Sequence, residues 1–383
     1  MRGKIAMDFN LSQEQEILRK TARDFFSKES SGALVRAMEQ DAKGYSPELW
    51  RKVASLGWLG LPYPADFGGA DGSFLDLAVL LEELGRSLAP VPLFSSVVLA
   101  GMPIAKYGSP AQKKAFLPGF SSGETIATCA IGEPSSSYSA QGINLSGTAS
   151  GSGYKLNGTK IFVENANVAN YILVAARTAK GKTPEEGITV FIVDRTAPGV
   201  TVNVLKPISL EKQCEVIFKD VSVGKDRVLG EAGNGWPIVK QTMHWAIAGQ
   251  AVMALGGAQA LLESTVEYTK GRVQFGRPIA SLQAVQHHAA NIVTDVDTMR
   301  LIAYEVAWLL SEGRPCDQEI SMAKGYIANA YTRMTREAIQ IHGGIGFTKE
   351  MNAQLYFRRA KGWEQLYGGP DQHRELVAQS FGF

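Results

Sequence analysis

Cysteine, histidine and net charge are all scarce in this chain, and each scarcity removes a class of function. The three cysteines, Cys129, Cys214 and Cys316, stand far apart in 383 residues. An odd, widely spaced set cannot build a disulfide framework or a CxxC metal site. It suits a reducing compartment, so a cytoplasmic location is expected. The five histidines include one adjacent pair, His287 and His288, and no HExxH pattern. A zinc enzyme is therefore not expected, and no metal is assigned. Lys and Arg number 39 against 37 Asp and Glu. With no basic stripe among them, nucleic acid is not expected as a partner.

Charge is also missing locally. Residues 241–262 contain no Asp, Glu, Lys or Arg, a length sufficient to span a bilayer. Gln241, His244, Gln250, Gln259 and three glycines interrupt the stretch, and alanine is the commonest of the rest. A buried helix of a bundle is expected there, not a membrane span. Residues 1–7 lack the apolar core of a signal peptide, and Met7-Asp8-Phe9 is an alternative start.

What is present divides into three textures. In the first, Ser12 and Gln15 form a capping box, followed by the apolar face Ile17, Leu18, Ala22, Phe25 and Phe26. Helical patterns recur at 47–59 and 75–84 and continue to about residue 120. After Ser121-Ser122-Gly123 come short β-branched runs such as 171–175, 188–193 and 214–218, with turn residues between them. Gly151-Ser152-Gly153 reads as a hairpin turn. After Gly233-Asn234-Gly235 long helical patterns return over 236–271, 282–311 and 317–341. The expected fold class is α+β: an N-terminal α-helical domain (1–121), a central antiparallel β domain (122–234) and a C-terminal helix bundle (235–383).

Generic catalytic motifs are absent. Gly343-Gly344-Ile345-Gly346 follows a helix and not a strand, so it is no Rossmann fingerprint. Two other segments are more specific. One is Tyr268-Thr-Lys-Gly-Arg272-Val-Gln274-Phe275-Gly276-Arg277-Pro278-Ile279, with Gln283 shortly after; the other is Gln340-Ile-His-Gly343-Gly344-Ile-Gly346-Phe347. Both resemble the signature segments of acyl-CoA dehydrogenases. Gly132-Glu133-Pro134, Leu156-Asn157-Gly158-Thr159-Lys160 and Arg359-Ala360-Lys361 extend the resemblance, in order, over the whole chain.

The resemblance implies FAD held across a dimer interface, with an acyl-CoA as substrate and an electron-transfer flavoprotein as acceptor. A homotetramer or an α2β2 heterotetramer is implied as well. Arg272 would pair with the diphosphate, since a guanidinium forms strong, often bidentate bonds to phosphate. Phe275 would pack on the adenosine, Gln274, Gln283 and Gln340 would add polar contacts, and Gly343 and Gly344 would admit the cofactor against bare backbone. Glu133, Phe162, Val163 and Glu164 fall near the flavin. The implied reaction is α,β-desaturation: a carboxylate removes the α-proton while the β-hydrogen leaves as hydride to the flavin.

The departures from the family concern that reaction. The usual catalytic Glu position falls on Tyr367 or Gly368, and the alternative position used by some members falls on Ala246. The flavin loop carries Ser135-Ser136-Ser137-Tyr138-Ser139, and the Thr that faces flavin N5 is Glu164. Three readings follow. The chain is an acyl-CoA dehydrogenase with another base, for which Glu164, Tyr367, His244 and Glu364 are candidates. Alternatively it is a non-catalytic subunit that completes a partner's FAD site, as in the β-type subunits of heteromeric acyl-CoA dehydrogenases. The third is a relative resembling acyl-CoA desulfinases, which needs no α-proton removal.

Overall fold

The structure, a computed structural model, describes residues 10–135 and 137–383; the alternative start at Met7 and the middle serine of the 135–139 loop lie outside the described residues. In chain order the helices are α1 (Gln13–Glu29), α2 (Gly32–Gln40), α3 (Pro47–Ser55), α4 (Phe74–Ser87), α5 (Met102–Tyr107), α6 (Pro110–Ser121), α7 (Trp236–Gly271), α8 (Gln283–Ser311), α9 (Asp317–His342), α10 (Ala353–Trp363) and α11 (Pro370–Ser380). The strands are β1 (Ala127–Ala130), β2 (Ser146–Ser150), β3 (Gly153–Glu164), β4 (Tyr171–Arg177), β5 (Ile188–Asp194), β6 (Val200–Val204), β7 (Gln213–Gly224), β8 (Val228–Leu229), β9 (Val273–Gln274) and β10 (Arg277–Pro278). Their described residues gather into two compact units, one within 36–73 and 90–246, the other within 10–35, 74–89 and 247–383. The α–β–α order along the sequence is as expected.

The first unit is built on an eight-stranded sheet in the order β6-β7-β3-β2-β4-β5-β8, with β1 beside β4. Its long ladders are antiparallel, as expected, but β1 runs parallel to β4, from Ala127 against Tyr171 to Ala130 against Val174. The interiors of β4 and β5 are buried on both faces, which explains their unbroken apolar runs. The expected hairpin is present: Ser150 pairs with Gly153, and Gly151 adopts φ 58°. A buried π-helix, Phe94–Gly101, lies against the sheet: Ala127 N donates to Ser96 Oγ, and Asn165 Nδ2 to Ser95 Oγ.

In the second unit, the Ser12–Gln15 capping box starts α1. Helix α4 meets α7 almost backbone to backbone. A Cβ on Gly85 would stand 2.0 Å from the Met253 carbonyl oxygen, and one on Gly256 would stand 1.8 Å from that of Glu82. Glu82 is buried on α4 but fully engaged, accepting from Tyr304 Oη at 2.5 Å and from Arg300 at 3.1 Å. A Cβ on Gly257 would lie 2.3 Å from the Tyr331 hydroxyl, so both glycines serve close helix packing. Among the described residues α7 is the helix long and apolar enough to cross a membrane, and 89% of its apolar window is buried inside the protein.

Gly256→Ala therefore forces α4 and α7 apart. Such overpacking is expected to cost about 1–3 kcal/mol of unfolding free energy in urea titrations. An unchanged denaturation midpoint would contradict the contact.

Candidate functional site

At the end of β3, two sequence motifs prove to be one structure. The Lys160 ammonium, fully buried, donates to Glu133 Oε1 at 2.7 Å and to the Ile131 carbonyl at 3.1 Å. Burial pushes the Lys160 amine down and Glu133 draws it back up, leaving a net lowering. Glu133 also accepts from the amides of Asn144 and Leu145 at 2.9–3.0 Å. Its carboxylate is thus committed to shaping the loop that follows it. Arg177 closes the other side, donating to the carbonyls of Ala140 and Ile143. Asn157 pins a bulge on β7, bonding both the amide and the carboxylate of Asp220.

Beyond Lys160 the ladder slips, because Lys160 pairs with Val216 but Val163 with Cys214. Two residues, Ile161 and Phe162, oppose Glu215 alone, which is a β-bulge. Phe162 adopts φ 55°, unusual for a bulky residue, and its side chain is 41% exposed. Val163 turns into the core, so Glu164, half-buried, returns to the side of Phe162. Tyr138 lies over the start of the loop; a Cβ on Gly132 would be 3.2 Å from its hydroxyl.

The second cluster sits at one end of the helical unit. The Tyr268 ring stacks on His342 at 4.4 Å between centroids, and its hydroxyl donates to the His342 carbonyl, tying the end of α7 to the end of α9. His288 pairs with Glu337, which brings the start of α8 to the same place. His342 and His288 thus belong to the packing of the bundle. The β9–β10 turn projects from this end, with Gln274 opposite Arg277 and Phe275 at φ 54°. Arg272, Gln274, Phe275, Gln283, Gln340, Gly343 and Gly344 are all exposed here, Phe275 to 87%. Nothing lies within 4 Å of a Cβ placed on Gly343 or Gly344.

The places of the two usual bases hold no carboxylate. Ala246 is fully buried on α7 and its neighbour Ile247 is apolar, while His244, two residues earlier, is half-buried. Tyr367, buried, adopts φ 60° and Gly368 φ 102°, forming a left-handed turn between α10 and α11. Two buried groups hold that turn from beneath. His373 Nε2 donates to the Tyr367 carbonyl at 3.0 Å, with Ser321 Oγ 3.3 Å from Nδ1, and Lys324 Nζ donates to the Trp363 carbonyl at 2.8 Å. Glu364 bonds Lys361 and Thr332. Sequence reasoning missed Lys160, Lys324 and His373 as organisers of the site; an Asn-Gly-Thr-Lys run on an apolar strand was the one available signal.

The two clusters suit the halves of FAD. A strained aromatic turned outward at a bulge offers a platform for a flat ring. An exposed Arg beside side-chain-free backbone and an unburied Phe offers a seat for a diphosphate and an adenine.

Known proteins resemble this chain over nearly its whole length. Family profiles for the N-terminal, middle and C-terminal domains of acyl-CoA dehydrogenase match residues 12–124, 128–221 and 233–382. The short-chain-specific acyl-CoA dehydrogenase of Megasphaera elsdenii is 34% identical over 381 residues, covering 97% of this chain and 98% of its own. The structure of butyryl-CoA dehydrogenase from the same organism superimposes with a TM-score of 0.91 at 32% identity, over 98% of this chain and 100% of that one. A chain of the ChsE4–ChsE5 complex of Mycobacterium tuberculosis gives a TM-score of 0.91 at 28% identity, over 98% and 99%.

Burial holds the Lys324 amine at about 7 against an ordinary 10.5, with Glu364 opposing the shift. Between those values the unfolded chain binds the extra proton, so unfolding free energy is expected to rise as pH goes from about 7 to about 10. In Lys324→Met that rise should flatten, as urea titrations at both ends of the range would show. An identical slope in the variant would place the effect elsewhere.

Proposed function

This chain belongs to the acyl-CoA dehydrogenase family, FAD-dependent oxidoreductases, and from that premise we propose that it desaturates an acyl-CoA thioester between its α and β carbons. An electron-transfer flavoprotein takes the electrons onward, in the cytoplasm, and the assembly is a tetramer. The observation that carries the reading is the exposed end of the helical unit. There Arg272, Gln274, Phe275, Gln283 and Gln340 are exposed, together with Gly343 and Gly344, where an added Cβ would meet nothing within 4 Å. That end suits the diphosphate and adenosine of a cofactor whose ring rests on another subunit. FAD, when bound, accepts the β-hydrogen as hydride.

Removal of the α-proton then falls to a group of this chain. Glu164 is the base we assign, since it shares the exposed side of the bulge with Phe162. A carboxylate is the residue type that α-proton removal calls for. Tyr367 is less suited, because an ordinary phenol holds its proton to about pH 10. His244 is left to orient substrate.

A second reading is favoured by the absence of a carboxylate at both Tyr367 and Ala246, together with the likeness to a chain of a two-component complex. In it the chain lends its bundle end to a sister subunit's FAD within an α2β2 tetramer and performs no chemistry itself.

The flavin content of the purified chain separates the two. The first reading expects about one FAD per chain, bleached by acyl-CoA, with Glu164→Gln retaining FAD and slowing the bleaching about 100-fold or more. A colourless chain that gains one FAD per two chains only beside a sister subunit would overturn it in favour of the second.

A further inference from the structure

Helix α7 carries one polar side chain that its own fold leaves unanswered. Gln250 is 5% exposed, and neither its amide oxygen nor its amide nitrogen has a hydrogen-bond partner. The other hydroxyl and amide side chains of α7 for which bonds are seen show how the helix normally provides for them. Thr242, Ser264, Thr265 and Thr269 donate to carbonyls of the preceding turn. Gln241 accepts from Lys106, and Gln259 pairs with Glu263 and Arg300.

Gln250 has no such recourse. The residues one turn away on either side, Ala246, Ile247, Met253 and Ala254, are buried and apolar. Native interiors rarely bury an amide without a partner, and an apolar residue of the same size would fill the space at no such cost. The exception therefore points to a ligand that brings the missing partner with it.

The helix also says where on the ligand that partner lies. Gln250 follows Ala246 by four residues, so both stand on one face, separated along the axis by roughly 6 Å. Ala246 is the position that resemblance assigns to the alternative base, beside the reacting carbons. An amide both donates and accepts. A hydroxyl suits it in either orientation, accepting from Nε2 or donating to Oε1.

We propose that Gln250 is a specificity-determining residue which hydrogen-bonds a hydroxyl on the acyl chain, about one helical turn from the carbons that are oxidised. The preferred substrate class is then a hydroxylated acyl-CoA in place of a plain alkanoyl-CoA. This rests on the proposed acyl-CoA activity of the chain. A site built to pair a substrate hydroxyl discriminates strongly against the analogue lacking it, because its own polar group is then left unpaired.

The test is equilibrium binding to the flavin-bearing assembly, followed by the flavin spectrum. The probes are decanoyl-CoA and its isomers hydroxylated at one of carbons 6 to 9. The proposal expects at least one hydroxylated isomer to bind about 10-fold or more tightly than decanoyl-CoA. Gln250→Leu should erase that preference and bind decanoyl-CoA as tightly as the parent or better. Gln250→Met, closer in shape, serves the same purpose if the Leu variant does not fold.

Equal binding of all the probes by the parent would overturn the proposal. So would a variant that weakens every probe alike, which would assign the amide to the pantetheine arm common to them. Acyl-CoA that fails to bind at all, with flavin retained, would overturn the acyl-CoA reading itself. Binding without preference would overturn this inference alone.

Discussion

A buried ion pair decides the shape of the β3 half of the candidate site. Lys160 and Glu133 are withdrawn from water together, an arrangement tolerable only when each remaining hydrogen-bonding capacity is met. It is met here, by the Ile131 carbonyl on one side and the Asn144 and Leu145 amides on the other. The pair joins the loop after Pro134 to the middle of β3, just ahead of the bulge that turns Phe162 outward. Without it the loop would lose its anchor and the bulge its fixed neighbour. The alteration of the loop at Tyr138 thus leaves the scaffold beneath it standing.

The fold was legible from periodicity. Charge-free residues 241–262 announced a buried helix, and short β-branched runs announced the sheet, because burial is what those patterns record. The parallel placement of β1 was not legible, since a four-residue strand carries no sign of its direction. The positions of the cofactor residues came from resemblance, not from pattern, and their exposure explains why. Arg272, Gln274 and Gln340 are surface residues within this chain, and no folding requirement constrains them. Lys324, His373 and Gln250 went unread for the opposite reason. A buried polar residue leaves no periodic trace, and its partner lies far away in sequence or in another molecule.

Resemblance and structure differ in what they say of the same residues. Glu133, placed near the flavin by resemblance, holds the following loop directly through the Asn144 and Leu145 amides, with Lys160 as its buried counter-ion. Gly256 and Gly257 are occupied by helix packing. The Tyr367 turn, which carries no carboxylate, is held in place by His373 and Lys324.

The central claim is that one FAD is held by two chains, its ring by the Phe162 side of one and its diphosphate by the Arg272 end of another. Subunit complementation tests it most directly. Arg272→Glu and Phe162→Asp each spoil one half of every site, so each variant alone should purify without flavin under conditions where the parent assembly holds it. Co-expressed, they form mixed pairs with one site intact in both halves. Random pairing then predicts about one FAD per four chains. A mixture as colourless as its components would contradict the shared site and return both halves of the cofactor to a single chain.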